Sequence, residues 1–270
     1  MTQGHLNLQS ESPYDGLANC YDRARPHYPP AALAILSAQA GDLVADVGAG
    51  TGIFSRQLAQ TLSKARVIGV EPSADMRRAA EAASRDIPNL SFVAGAAENL
   101  PFPDRSLALV TAATAAHWFD RPVFYEQAFR CLREDGQLAI VQNVRRWWDS
   151  PFLAAYEQLH EDTVQGYRRN TFPAGSGRYA TLDVADELRR LALASDVQEH
   201  AFGWRMPMER DVFIIFSLSS TITQQAIREI GETAYLSRLA EILDRWNGSG
   251  SFDVLYVTKL VVASKGRPSS

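Results

Sequence analysis

The sequence predicts an α/β fold in which a parallel sheet carries helices on both of its faces. Three observations support this prediction. Apolar runs of strand length alternate with amphipathic runs of helical length, a glycine-rich loop follows the first apolar run, and the alternation continues to Gln142. Alternation of this kind implies right-handed crossovers between parallel strands, so we predict a Rossmann-like, doubly wound sheet.

The first five predicted strands are short apolar runs that end at glycine, proline or polar turn residues. They are residues 43–47, 67–70, 90–93, 107–111 and 137–142. The helices predicted between them are residues 52–63, 73–84 and 122–132. Before the first strand, Pro30 opens an amphipathic stretch that Gly41 ends, which predicts a helix over residues 31–40. A turn at Asp135 and Gly136 is predicted to precede the fifth strand.

The pattern changes after Gln142. The elements predicted there are helices 152–167, 182–194, 209–220 and 233–246 and strands 197–206 and 254–263. The alternating apolar residues of the last strand are typical of antiparallel pairing. We interpret residues 147–194 as a helical cap inserted after the fifth strand, and residues 41–146 and 195–264 as the core of the fold.

Composition excludes several classes of protein. The net charge of −4 and the isoelectric point near 5.8 give no general attraction to nucleic acid or to an anionic membrane. Cys20 and Cys131 are too few for a disulfide framework and too far apart for a metal-binding pair, which favours a reducing compartment. The N-terminus does not resemble a signal peptide, and the most apolar stretch, 107–119, is too short to span a bilayer. We expect a cytoplasmic monomer or homodimer.

The motif at residues 46–52 reads Asp-Val-Gly-Ala-Gly-Thr-Gly and lies at a predicted strand-to-helix junction. Glycines there let the backbone turn tightly and let a ligand press against the main chain. The carboxylate of Asp46 would lie beside the loop, where it could orient backbone amides or hold a ligand ammonium. Glu71 stands at the tip of the next strand, where an acidic side chain can accept hydrogen bonds from both hydroxyls of a ribose.

Several kinds of ligand could occupy such a loop. A phosphate loop needs Gly-Lys-Ser/Thr before its helix, which is absent. A dinucleotide loop needs a third glycine where Ile53 stands, and Asp46 would face its pyrophosphate. S-adenosylmethionine has no phosphate and carries an α-amino group, so an acid beside the loop favours it. The alternatives are an NAD-dependent oxidoreductase, a non-catalytic regulator or scaffold that binds S-adenosylmethionine, and a glycine turn that binds nothing.

Residues 46–52 resemble the first motif of class I S-adenosylmethionine-dependent methyltransferases, and residues 70–76 resemble the second. Residues 95–102 resemble the segment that borders the adenine. Further resemblance, to the methyltransferase type 11 branch that includes trans-aconitate-type enzymes, lies at residues 24–29, 116–120 and 132–138. The resemblance implies a seven-stranded sheet with the last strand antiparallel. It also implies a cofactor at the carboxyl ends of the strands and a small-molecule methyl acceptor.

The resemblance also implies which residues bind the cofactor, with residues 1–40 as an N-terminal segment that closes over it. These residues are Tyr21, Arg25, Asp46, Gly48, Ala49, Gly50, Thr51, Gly52, Glu71, Pro72, Met76, Ala96, Ala97, Glu98, Ala113 and Trp118. Many relatives have aspartate where Ala96 stands, so backbone atoms or Glu98 would have to hold the adenine amino group.

His117 follows the fourth strand, at the rim where ligands bind in such sheets. It could take a proton from the acceptor as the catalytic base, or serve a structural role through a hydrogen bond. The residues predicted to contact the substrate are Tyr28, Arg145, Arg146, Trp147 and Trp148. The arginines and tryptophans follow the fifth strand, so they could bind an anionic, partly apolar acceptor, or be solvated arginines beside buried tryptophans.

Methylation of a carboxylate or hydroxyl oxygen is favoured, with carbon or nitrogen as the other options. Of the acidic residues near His160, Glu161 and Asp162 resemble metal ligands only in isolation, because they lie on a polar helix face. We therefore predict that the protein binds no metal.

Overall fold

The computed structural model describes residues 24–36, 42–173, 179–246 and 250–266. Within these ranges a sheet is built from seven strands: β1 (Leu43–Val47), β2 (Arg66–Val70), β3 (Leu90–Val93), β4 (Leu107–Ala113), β5 (Leu132–Arg145), β6 (Ala194–Glu209) and β7 (Ser251–Lys265). Their order across the sheet is β3-β2-β1-β4-β5-β7-β6. The first five are parallel, and β7 runs antiparallel to both of its neighbours. The predicted doubly wound sheet with an antiparallel last strand is confirmed.

Helices connect the strands and cover the sheet. They are α1 (Pro30–Leu33), α2 (Ile53–Thr61), α3 (Ala74–Ala83), α4 (Arg121–Cys131), α5 (Pro151–Thr163), α6 (Val184–Arg189), α7 (Arg210–Leu218), α8 (Thr221–Ile230) and α9 (Glu232–Trp246). Serine residues cap the N-termini of α3 and α5. The Ser73 hydroxyl accepts a hydrogen bond from Met76 N, and the Ser150 hydroxyl accepts one from Leu153 N.

Several elements differ from the sequence-based prediction. Helix α6 spans Val184–Arg189, where the pattern predicted a helix over 182–194, and Ala194 already belongs to β6. Helix α1 spans four residues, where the pattern predicted a helix over 31–40, and the second part of that stretch lies outside the described residues. Helix α8 was not predicted, because its β-branched first turn has weak helix propensity, yet burial of Ile222 and Ala226 stabilises it. Strand β5 starts early, at Leu132, and residues 133–136 bulge out where a turn was predicted.

The sheet is buried on both faces because its strands are apolar at successive positions. Side chains alternate between the faces, so neighbours in one strand belong to different cores. Ala45 packs in the core beneath α4, whereas Val44 packs in the core beneath α2. The carboxyl ends of the parallel strands therefore form an edge whose position is held from both sides.

A helical layer packs beyond the sheet and forms a third core. It combines α5 with α7, α8 and α9 and with residues of β6 and β7. Helix α6 lies within the predicted cap, 147–194, but packs on the core of the sheet instead, through Val184 and Leu188. The layer thus draws on residues before and after β6. The division of the chain into core and cap remains a prediction.

Polar side chains inside the helical layer bond to one another. His160 Nε2 lies 3.0 Å from Thr223 Oγ1 and 3.1 Å from the Tyr235 hydroxyl, and Glu161 forms an ion pair with Arg169. Across the described part of the chain, no cluster of three or more His, Cys, Asp or Glu side chains could hold a metal ion. None of the helices described is long and apolar enough to cross a membrane.

The packing of β2 against β3 can be tested at Gly69. A Cβ atom at this position would lie 2.4 Å from Phe92 Cδ1 and 3.0 Å from Ala49 Cβ. We expect Gly69→Ala to lower the free energy of unfolding by about 1–3 kcal/mol, measured by urea denaturation, because overpacking strains a filled core. Phe92→Leu in the same chain should recover part of that loss. An alanine variant as stable as the parent would contradict the close contact.

Candidate functional site

The loop between β1 and α2, residues 48–52, is attached to the end of β2. Gly48 N and Ala49 N both donate to Val70 O, at 2.8 and 3.1 Å. Gly48 and Gly50 have φ values of +71° and +56°, in the left-handed region that favours glycine. A Cβ at Gly48 would lie 2.7 Å from Ala115 Cβ, whereas a Cβ at Gly50 would have no atom within 4 Å. The loop is therefore tightly packed on one side and open on the other.

Asp46 lies at the base of this loop and is 1% exposed. Its Oδ2 accepts a hydrogen bond from the Ser55 hydroxyl at 2.5 Å, and its Oδ1 accepts one from the Thr111 hydroxyl at 2.9 Å. Burial raises the pKa of Asp46 to about 6, although both hydroxyl groups oppose the rise. The carboxylate is consequently held in one orientation, and no cationic side chain among the described residues forms an ion pair with it.

Glu71 directly follows β2 and is 8% exposed. Its Oε2 accepts a hydrogen bond from Gly50 N at 2.9 Å, and its Oε1 accepts one from Ser73 N at 3.0 Å. Each carboxylate oxygen has a second lone pair, so the group can still accept two hydrogen bonds from a ligand. The two backbone amides orient the carboxylate before any ligand binds.

A cavity of about 410 Å³ opens over this edge of the sheet. The predicted cofactor residues that line it are Arg25, Asp46, Gly48, Ala49, Gly50, Thr51, Glu71, Pro72, Met76, Ala113 and Trp118. Residues that the sequence analysis did not single out also line it: Pro26, Ile53, Phe54, Thr114, Ala115 and Phe119. Pro26 and Phe119 belong to the motifs at 24–29 and 116–120, and Ile53 was named only as the departure from a dinucleotide loop. The other three carry no local signal. We call this space the first cavity.

Some of the predicted cofactor residues lie elsewhere. Gly52 precedes α2, where a Cβ would lie 2.8 Å from Phe92 Cζ. Ala96 forms a bridge with Asn99, Ala97 is buried in the core, and the Glu98 carboxylate accepts a hydrogen bond from Asp120 N. These four line neither the first cavity nor the second one described below. Tyr21 lies outside the described residues.

Tyr28, predicted to contact the substrate, forms part of the wall of the first cavity. Its backbone N donates to Gln57 Oε1 and its carbonyl accepts from Gln57 Nε2, both at 2.9 Å. Its hydroxyl lies 2.8 Å from Thr114 Oγ1. Burial raises the Tyr28 pKa above its usual range, so the hydroxyl stays protonated. These contacts fasten the segment before α1 to the carboxyl edge of the sheet.

Thr114 lies at the end of β4 with a φ of +51°, which is rare for a β-branched residue. Its backbone N donates to Val141 O at 2.7 Å, and its side chain bonds to Tyr28. Thr114 also lines a second cavity, of about 240 Å³, together with Arg25 and Trp118. All three residues line the first cavity too, so the two cavities adjoin and share a wall.

An ion pair lies at the wall of the second cavity. Arg145 Nε donates to Glu157 Oε1 at 2.6 Å, and the Tyr167 hydroxyl donates to Glu157 Oε2 at 2.7 Å. Glu157 is 3% exposed, and although burial opposes the shift, the charge of Arg145 lowers the Glu157 pKa. The Arg145 guanidinium lies 5.4 Å from the centroid of the Tyr156 ring. Arg145 is thus a predicted substrate residue that lines a cavity.

The three residues that follow Arg145 line neither cavity. Arg146 Nε donates to Asp149 Oδ2 at 3.0 Å, so its side chain is used within its own turn. Trp147 packs beneath the Arg169 guanidinium, 4.6 Å from the ring centroid, and Trp148 is 50% exposed. This placement departs from the predicted substrate contacts of Arg146, Trp147 and Trp148, because the short helical turn at 147–149 directs these side chains elsewhere.

His117 lines the second cavity between two aromatic rings. Its centroid lies 5.0 Å from that of Trp118 and 5.2 Å from that of Phe172. Burial, with a smaller effect of the Arg121 charge, lowers the His117 pKa to about 4, so the imidazole is neutral near pH 7. Its Nδ1 atom is buried and has no hydrogen-bond partner within the described ranges. A neutral imidazole of this kind can hydrogen-bond a bound molecule.

Part of the chain is similar in sequence to known proteins. A family model described as a methyltransferase domain, type 11, matches residues 45–140. A Dictyostelium discoideum protein named as a methyltransferase is 38% identical over 130 residues, 47% of each chain. Malonyl-[acyl-carrier protein] O-methyltransferase of Bacteroides thetaiotaomicron is 36% identical over 97 residues, 36% of each chain. The aligned region thus covers about half or less of these relatives.

The fold is also that of a solved structure. A protein from Anaeromyxobacter dehalogenans that is named as a type II methyltransferase superposes with a TM-score of 0.62 at 21% identity, over 90% of this chain and 97% of that one. The residues that the family model matches include the glycine loop and most of the lining of the first cavity. Residues 45–140 therefore form a class I methyltransferase domain of type 11, whose cofactor is S-adenosylmethionine.

Proposed function

We propose that this protein transfers a methyl group from S-adenosylmethionine to an oxygen atom of a small polar acceptor. The observation that carries the proposal is the wall shared by the two cavities, formed by Arg25, Thr114 and Trp118. The first cavity suits the cofactor, and the second, of about 240 Å³, has room for a small molecule beside it.

The residues of the first cavity fit S-adenosylmethionine. The open side of Gly50 lets a ligand lie against the main chain, and Glu71 has lone pairs for the two ribose hydroxyls. Asp46 supplies a carboxylate for the α-ammonium group of the cofactor. A ligand with a phosphate group would be repelled by the negative charges of Asp46 and Glu71. When bound, the cofactor supplies a methyl group made electrophilic by its sulfonium.

The chain's own residues would position the acceptor and exclude water. Trp118 and Phe172 enclose the second cavity with aromatic surface, and Thr114 lies in the wall between the two cavities. His117 can accept a proton or hydrogen bond from an acceptor hydroxyl, while a carboxylate acceptor needs no base. The Bacteroides relative is named as an O-methyltransferase, which supports oxygen as the methylated atom.

The cofactor part of this proposal is tested by calorimetric titration with S-adenosylhomocysteine and, separately, with NAD. We expect S-adenosylhomocysteine to bind and to raise the melting temperature, because a ligand that binds only the folded state stabilises it. Incubation with labelled S-adenosylmethionine and a panel of small hydroxy and carboxylic acids should then yield a methylated product. Binding of NAD alone would reject the proposal, and cofactor binding with no product from any acceptor would favour a regulator or scaffold.

The open side of the loop is tested by Gly50→Val, with Gly166→Val as its matched control. Both glycines have positive φ, and a Cβ atom added at either would have no other atom within 4 Å, but only Gly50 lines the first cavity. Both variants should lose similar stability through backbone strain. Gly50→Val should abolish S-adenosylhomocysteine binding in the calorimeter, and Gly166→Val should retain it. Equal affinities would mean that the ligand does not approach the loop.

The raised pKa of Asp46, to about 6, predicts how both stability and affinity depend on pH. The unfolded chain ionises this acid near 3.8, so folding stability falls as the pH rises from about 4 to 6 and then levels off. Affinity for S-adenosylhomocysteine should instead rise as the pH rises towards 6, by up to about tenfold per pH unit. The reason is that the ammonium group of the ligand binds the ionised acid more tightly. Asp46→Asn should flatten both curves. The affinity is measured by titration calorimetry from pH 5 to 8. An Asp46→Asn variant whose affinity still depends on pH as the parent's does would contradict the prediction.

A further inference from the structure

Arg145 presents hydrogen-bond donors to the second cavity. Its Nε atom is bonded to Glu157, but neither Nη atom makes a hydrogen bond to any residue that the structure describes. Neither atom is buried, and the side chain is 20% exposed at the cavity wall. The two Nη donors of a guanidinium form a fork that matches the two oxygens of a carboxylate.

The position of this fork is held firmly. Glu157 uses one oxygen for Arg145 Nε and the other for the Tyr167 hydroxyl, so both are already engaged. The rings of Tyr156 and Phe216 lie 5.4 and 5.9 Å from the guanidinium carbon. A binding group held in this way loses little conformational entropy when a ligand arrives.

The rest of the lining also favours an anionic group. Among the described residues, the charged side chains that line the cavity are two arginines, Arg25 and Arg145, and one glutamate, Glu157. The low pKa of His117 keeps that ring neutral. The first turn of α8 also contributes to the wall, through Thr221 and Ile222, and contains no acidic residue. Backbone amides in a first helical turn lack acceptors within the helix, which favours negative charge nearby.

We infer that the second cavity binds molecules that carry a carboxylate, with that group seated on the Nη atoms of Arg145. The inference rests on the proposed function, since it names the class of acceptor that the cavity takes. Glu157 and Tyr167 are positioning residues, which hold the guanidinium by its Nε edge and leave its outer edge to the ligand. The aromatic rings of His117, Trp118 and Phe172 favour a flat group next to the carboxylate.

Benzoate and benzamide serve as probes, because they share a shape and differ in charge. Each is titrated by ligand-observed saturation-transfer NMR against the full chain saturated with S-adenosylhomocysteine. We expect saturable binding of benzoate, with an affinity at least about tenfold above that of benzamide, since a charge-assisted bidentate pair is lost with the amide. Equal affinities, or no binding of benzoate to the S-adenosylhomocysteine complex, would overturn the inference. If S-adenosylhomocysteine itself fails to bind, the proposed function fails instead.

Variants of Arg145 test the contact itself. Arg145→Lys keeps a positive charge beside Glu157 but removes the fork, and should weaken benzoate binding at least about tenfold. The double variant Arg145→Met with Glu157→Gln serves as a second test if the lysine variant folds poorly. It removes both charges of the pair, so no buried carboxylate is left without a partner. It should also lose benzoate selectivity over benzamide. Arg146→Lys is the matched control and should bind benzoate as the parent does. Parental benzoate affinity in both Arg145 variants would overturn the inference.

Discussion

The attachment of the glycine loop to the end of β2 is the constraint on which the rest of the site depends. Two amides of the loop donate to Val70 O, and Gly50 N donates to Glu71 Oε2. The same carboxylate that would bind a ribose therefore holds the loop in its open shape. Asp46 is fixed from α2 and β4 at the base of the loop, so three neighbouring elements together set the geometry of the loop and its two acids.

The two cavities depend on one another through Thr114. This residue accepts a left-handed backbone because its N–H is bonded to β5 and its hydroxyl to Tyr28. Strained backbone persists only where the surrounding structure imposes it, and such positions concentrate at functional sites. Here the strain lies where the first cavity meets the second, so the bond to Tyr28 connects the N-terminal segment to the wall between the two cavities.

The helical layer supplies the chemistry of the second cavity. A buried ion pair adds little net stability, because desolvation offsets much of the attraction between the charges. The Arg145–Glu157 pair is better understood as a device for orientation, since it fixes one edge of the guanidinium and leaves the other accessible. Aromatic packing and the Tyr167 hydroxyl complete the support. Tyr156 and Glu157 belong to α5 and Tyr167 follows it, whereas Phe216 comes from α7.

The sequence by itself determined the order of strands and helices and the glycine loop with its two acids, because these signals are local: an apolar period, a turn residue, a motif of seven positions. Only the tertiary structure decided that Arg145 lines a cavity while Arg146 does not, and that Thr114 lies between the two cavities. It likewise decided that α8 forms despite its weak propensity. Each of these outcomes depends on partners distant in the chain, such as Glu157, Tyr28 and the packed core, and no local pattern of residues encodes them.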